Sequence, residues 1–340
     1  MPKRFWIIIL IVTVLGLSGC AKRNTAYQED EQLTLVKQIP LVGDLLDFCF
    51  DDDHIYTAQD QGGISVIRKS DYHAKWYTVI TAADGSTYDL ARVPRMDVVG
   101  EFHRLFMVET GSPDKLIIMD TTNPDSLIWT FSPIGGTQNI QDLDFQPTVP
   151  SGSVYPITGG YIANSTFYFT KYKPADGLIN QFNITPPPPF TTNGFAMTDT
   201  HIFIASQQRG LLVYNKTNQQ LVSEFAVPGS ALKVKIVGNY AFLASRQGGL
   251  NIVNIANLAA PVLLASFATP NFTTAIDVSG NRAAISSGSG GVYLFDISNV
   301  NQPVLLQRLT SCGYANTAKF MDGKLVVASR DKGLLIYNIR

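Results

Sequence analysis

Charged residues make up only 16% of this 340-residue chain, so those that recur at equivalent places in apolar segments are the first candidates for chemistry. Aligning short segments of shared pattern puts Cys49, Asp97, Ala196, Lys235, Asp277 and Lys319 in one column. Asp47, Asp142 and Lys233 stand two residues earlier in their segments, and Asp144 lies near the column. In a strand, residues i and i+2 share a face, so both rows point the same way. Mixed carboxylates and ammoniums gathered around one axis could polarise a substrate. Paired across neighbouring segments, they act instead as structural charges. A second repeated position, in polar turns, holds Asp60, Gln207, Arg246 and Arg330, a candidate binding face for a peptide, glycan or protein.

Other reactive patterns are weak. His54 and His201 occupy the same turn position in different segments, and the four histidines do not cluster, so no metal site is expected. Asp51-Asp52-Asp53 lacks the spaced oxygen ligands of a calcium loop and reads as a turn cap. There is no Gly-x-Ser-x-Gly elbow, no His-Glu-x-x-His and no phosphate-cradling glycine loop. These residues imply neither a catalytic centre nor a cofactor.

The elements that must position the columns come from an internal repeat. A small residue and Ser, a short polar stretch, then Gly and an apolar run recur at Ala205–Asn215, Ala244–Asn254, Ser286–Asp296 and Ala328–Asn338. A near copy lies at Ala58–Ile67, and Lys115–Asp120 and Gly177–Asn183 supply two degenerate ones, making seven. The last four are spaced by 39, 42 and 42 residues, close to the roughly 40–45 of a four-stranded propeller blade. Gly238-Asn239, Gly280-Asn281 and Asp322-Gly323 are turn pairs suited to tight hairpins. The chain ends on a third strand, Leu334–Ile339, and the segment Gln32–Ile39 fits a fourth strand with no blade of its own. The expected fold is therefore all-β, a seven-bladed propeller over 32–340 whose ring is closed by the N-terminal strand completing the last blade. Irregularity concentrates in a segment at Gln146–Gly160, in the run Pro186–Pro189 where the outer strand of blade 3 is expected, and in a long loop at Thr81–Arg95.

The N-terminus carries Lys3 and Arg4 and then an apolar run from Phe5 to Gly16, the layout of an export signal and short for a bilayer span. Leu17-Ser-Gly-Cys20 resembles the lipobox of bacterial lipoproteins. That resemblance implies cleavage of residues 1–19 as a signal peptide and acylation of Cys20, with 20–31 as a polar tether. Ala21 in place of Asp implies the outer membrane if the cell is Gram-negative. Export leaves Cys49 and Cys312 either as a disulfide across the ring seam or as two buried free thiols. The mature chain has 24 basic against 27 acidic residues, which argues against a nucleic-acid partner.

Units of the form Gly-Gly-Leu-Asn-Ile-Val-Asn-Ile-Ala-Asn-x-x-x-Pro-Val-Leu resemble the LVIVD repeat of bacterial surface and periplasmic propellers, closely in 193–340, fairly in 43–81 and weakly in 96–190. The resemblance implies a fold and a cell-envelope location, not a reaction. The leading expectation is a non-catalytic, membrane-anchored binding or assembly scaffold for a protein or polysaccharide. The alternatives are a propeller hydrolase or lyase with its active site at the channel mouth, and a structural subunit of an outer-membrane complex.

Overall fold

The computed structural model describes residues 32–131, 139–148 and 152–340. The expected signal peptide, Cys20 and the tether lie outside these residues, as does 149–151 within the irregular segment. The described residues form seven sheets arranged as blades, antiparallel apart from one added edge pairing in blade 2. Their inner strands are Asp47–Phe50, Arg95–Val99, Ile140–Pro147, Thr192–Met197, Ala231–Val237, Ala275–Ser279 and Ala315–Met321. In blades 1 to 6 each is followed in hairpin order by a second, third and outer strand, and in blade 7 by a second and third strand, the outer one being Leu33–Ile39.

The repeated glycine has a definite physical cause. Gly249 and Gly291 open the third strands of blades 5 and 6 with φ of +66° and +79°. A Cβ at Gly249 would sit 2.1 Å from the Phe267 carbonyl oxygen, and one at Gly291 2.0 Å from that of Leu309. The turn thus needs a left-handed backbone pressed against the outer strand, which only glycine provides without strain. The same clash recurs at Gly63, Gly210 and Gly333.

Both faces of every blade are apolar, and seven clusters of buried side chains fill the gaps between neighbours. The last gap, between blades 7 and 1, packs Ile39, Met321 and Ile336 against Phe48, Ile55 and Ile67. Ring closure follows the sequence expectation: Leu33–Ile39 pairs antiparallel with Gly333–Ile339, joining Leu33 to Ile339 and Ile39 to Leu334. Gln307, on the outer strand of blade 6, fixes the start of this strand. Its side-chain oxygen accepts the N–H groups of Gln32 at 2.9 Å and Leu33 at 2.8 Å.

Two expectations are corrected. Gly177–Ile184 is the outer strand of blade 3, not its third strand. The third strand is Thr166–Lys173, and the second, Ile157–Ala163, falls partly in the stretch read as an insertion. Pro186–Pro189 consequently lies in the connection to blade 4 and replaces no strand. Thr81–Arg95 is not a loop throughout either. Val79–Ala82 and Thr87–Asp89 form a hairpin that extends blade 2 to six strands, with Val79–Ala82 parallel to Ile128–Phe131. Buried Glu109 holds it there, accepting the Tyr88 hydroxyl and, at 2.8 Å, the Ala91 N–H.

Removing the Gln307 acceptor leaves two N–H groups of the closing strand without it, and an unsatisfied buried group costs about 1–3 kcal/mol. Gln307→Ala is expected to lower the unfolding free energy by that amount in urea titrations, while Gln307→Glu, which keeps the acceptor, loses less. Equal losses in the two variants would rule out this role.

Candidate functional site

Two residue rows meet at the centre of the ring. Asp47, Asp97, Lys235, Asp277 and Lys319 all line one central cavity of about 520 Å³, together with Cys49, Asp142, Asp144, Ala196 and Lys233. The alternation of the inner strands explains the convergence. Phe48 packs into the gap toward blade 7, whereas Cys49 packs into the gap toward blade 2. Residues of the column share the parity of Cys49 and face the following blade.

That orientation sets their partners. Asp97 of blade 2 accepts the Phe145 N–H of blade 3 at 2.6 Å, and Asp277 of blade 6 accepts the Phe320 N–H of blade 7 at 2.9 Å. Asp142 accepts the Phe195 N–H at 3.2 Å, and Asp47 reaches the Met96 N–H at 3.5 Å. Four inner-strand carboxylates therefore tie a blade to its successor. Three also meet ammonium groups: Lys319 lies 3.1 Å from Asp47, Lys235 lies 3.3 Å from Asp277, and Lys233 pairs with Asp142. The last pair spans blade 4, where Gly194 makes the crossing possible. A Cβ there would lie 2.7 Å from Cδ of Lys233.

Asp97 and Asp144 have no ammonium within ion-pair distance. Burial, reinforced by the Asp144 charge, pushes the Asp97 carboxyl up to about 8. Burial likewise raises Asp144, against the pull of Lys235. Burial alone would lower Lys319, but Asp47, Cys49 and Asp97 together outweigh it and the ammonium is held above its ordinary range. Arg95 also lines the cavity and was missed in the sequence. It stands two residues before Asp97, so the same period-2 rule could have found it.

The predicted turn ring divides. Asp60 is already engaged: Arg92 grips its carboxylate from Nε at 2.7 Å and Nη2 at 3.1 Å. Gln207 and Arg246 line a second cavity, of about 530 Å³, on the face formed by the second-to-third-strand turns. Arg330 borders it, its guanidinium 4.2 Å from the ring centre of Tyr314. Phe272 and Tyr314 complete this cavity. Sequence reasoning missed both because they lie in connections between blades, outside the repeated phrase.

The seam disulfide is not formed. Cys49 and Cys312 are free and buried in different gaps, Cys49 between blades 1 and 2 and Cys312 between blades 6 and 7. Each side chain points away from the seam gap. Burial pushes both thiols up, Cys312 to about 11, so neither is a ready nucleophile. Asp51 caps its turn by accepting the N–H groups of Asp53 at 3.0 Å and His54 at 2.7 Å. Among the described residues no three His, Cys, Asp or Glu side chains are grouped to hold a metal.

With the blades delimited, a family assignment can be placed on them. The LVIVD repeat matches residues 228–269 and 273–311, one blade each. Blades 5 and 6 are thus similar to LVIVD repeats. Curated proteins give no significant match. Among solved structures, the β-propeller domain of Cps50 (Swd1) from Myceliophteria thermophila aligns with a TM-score of 0.70 at 10% identity, covering 91% of this chain and 100% of that one. The computationally designed Ika8 protein aligns with a TM-score of 0.59 at 13% identity, covering 91% and 99%. At such identities the likeness concerns the fold alone, and the LVIVD blades share it with the unmatched ones.

The raised Asp97 carboxyl has a stability consequence. A carboxyl whose folded pKa exceeds its unfolded value binds its proton more tightly when folded, so stability falls as pH rises from about 4 to about 8. Asp97→Asn keeps the acceptor for Phe145 and removes the charge. Its Tm at pH 8 is expected to exceed that of the parent by about 2–4 °C, with a flatter profile between pH 4 and 8. Parallel profiles in differential scanning calorimetry would refute the buried-charge account.

Proposed function

We propose that this chain is a lipid-anchored propeller of the cell envelope that acts as a non-catalytic binding scaffold for a protein or polysaccharide. The observation that carries the reading is how the two cavities differ. In the central one, Asp47, Asp142 and Asp277 are each engaged by a lysine and by a backbone N–H of the next blade, as structural charges are. The turn-face cavity instead presents Arg246 and the Phe272 ring, both exposed, at the mouth of a ring that closes on itself. Outer-membrane placement belongs to the same reading and rests on the lipobox resemblance at Cys20.

One observation favours a second reading, a hydrolase or lyase. Asp97 holds its proton near neutral pH, as a general acid must. That reading requires loss of turnover in Asp97→Asn on a sugar or ester library.

In-cell crosslinking of the intact protein, read by mass spectrometry, tests the scaffold. Reproducible crosslinks from the face bearing Arg246 and Arg330 to one partner are expected. Absence of any partner, together with turnover of a library substrate, would overturn the reading. Cys20→Ala tests the anchor separately: the variant is expected to leave the membrane fraction or to stay unprocessed without acyl label, and normal acylation would exclude Cys20 as the lipid site.

A further inference from the structure

The loop between blades 5 and 6 is fastened at every step. Thr269 Oγ1 donates to the Asn271 carbonyl at 2.8 Å, and Thr273 Oγ1 donates to that of Ser245 at 2.9 Å. Ser287 Oγ donates to the carbonyl of Phe272 itself at 3.0 Å. The Asn271 side-chain oxygen accepts from Arg308 at 2.8 Å. Yet this fixed loop leaves the Phe272 ring 58% exposed, with the Arg246 guanidinium 5.6 Å from its centre. Such a ring contributes nothing to a core.

Across the cavity, Tyr314 is fixed in the same manner. Its N–H donates to Asp331 at 2.7 Å, and Gly288 and Ala315 exchange backbone bonds of 3.0 Å beside it. A Cβ at Gly288 would lie 2.9 Å from the Tyr314 ring, so glycine lets the ring lie over the turn. Arg330 covers the ring from its own blade. Between the two aromatic side chains the wall is built of Asn193, Gln207, Asn271, Thr274 and Ser289, with no carboxylate. The buried Asn193 amide nitrogen has no protein acceptor.

We propose that this cavity binds an anionic saccharide, an inference that rests on the scaffold reading above and gives it a ligand class. Aromatic rings accept the apolar faces of sugar rings while their edges stay polar. Amides and hydroxyls answer the sugar hydroxyls, and a guanidinium held flat over a ring offers parallel N–H donors to a carboxylate or phosphate. The volume of about 530 Å³ falls within the roughly 300–1,000 Å³ of small-ligand sites.

Calorimetric titration of the full chain in detergent tests the inference with four probes: trigalacturonate, its methyl ester, maltotriose and mannose 6-phosphate. Trigalacturonate, mannose 6-phosphate or both are expected to bind at least tenfold more tightly than the two neutral probes, and which of them binds identifies carboxylate or phosphate as the anion. Phe272→Ala and Arg246→Gln are each expected to weaken that binding at least fivefold, and Lys324→Gln, in a turn of the opposite face, to leave it unchanged. Binding of neither anion more tightly than of the neutral probes overturns the inference. So does binding that survives both variants, or no binding by a cooperatively folded chain. If crosslinks still map a partner to this face, the ligand class fails while the scaffold reading stands. If they do not and a library substrate is turned over, both fail.

Discussion

The structure depends on closing its ring at blade 7. Because every blade is apolar on both faces, a stack of seven has two uncovered faces unless the first meets the last. The seven buried clusters, one for each gap, are the result of that meeting. The closing strand serves two gaps at once. Leu33 packs between blades 6 and 7, and Ile39 between blades 7 and 1. Its pairing with Gly333–Ile339 joins the two ends of the described chain, so hydrophobic burial in the last gap, about 25 cal/mol for each Å² covered, is tied to one local ladder.

Most of this was legible in the sequence because it follows from constraints that recur within each blade. The turn before the third strand demands a left-handed glycine against a carbonyl oxygen, and five blades carry it at Gly63, Gly210, Gly249, Gly291 and Gly333. Blade 3 misled the reading through the same residue type. Gly177 also has positive φ, at +73°, but it opens the outer strand. The extra hairpin of blade 2 was illegible for a different reason. Its edge pairing joins Thr81 to Ile128 and Ala82 to Trp129, contacts across more than forty residues that no local pattern specifies.

The central cavity shows the same division. Period-2 alternation alone brought Asp47, Asp97, Lys235, Asp277 and Lys319 to one place. Which charge meets which is a matter of what blade 4 omits. Gly194 and Ala196 leave room there, and Lys233 takes it to reach Asp142 on blade 3. With Lys233, Lys235 and Lys319 each assigned to another carboxylate, Asp97 and Asp144 lack an ammonium partner, and burial therefore governs their protonation.

The closing strand fixes the face of the disc at which its N-terminal end stands. Gly333 opens the third strand of blade 7 at the turn face that bears Arg246, and the strand runs away from it to Ile339, where Leu33 pairs. Gln32 therefore stands at the opposite face. There a cavity is lined by Asp51, Asp52, Asp53 and Glu101, and by His54, His103 and Lys69, which pairs with Asp322 at 3.0 Å. An anchor reaching the disc through Gln32, as proposed above, would leave the cavity bearing Arg246 and Phe272 on the far side.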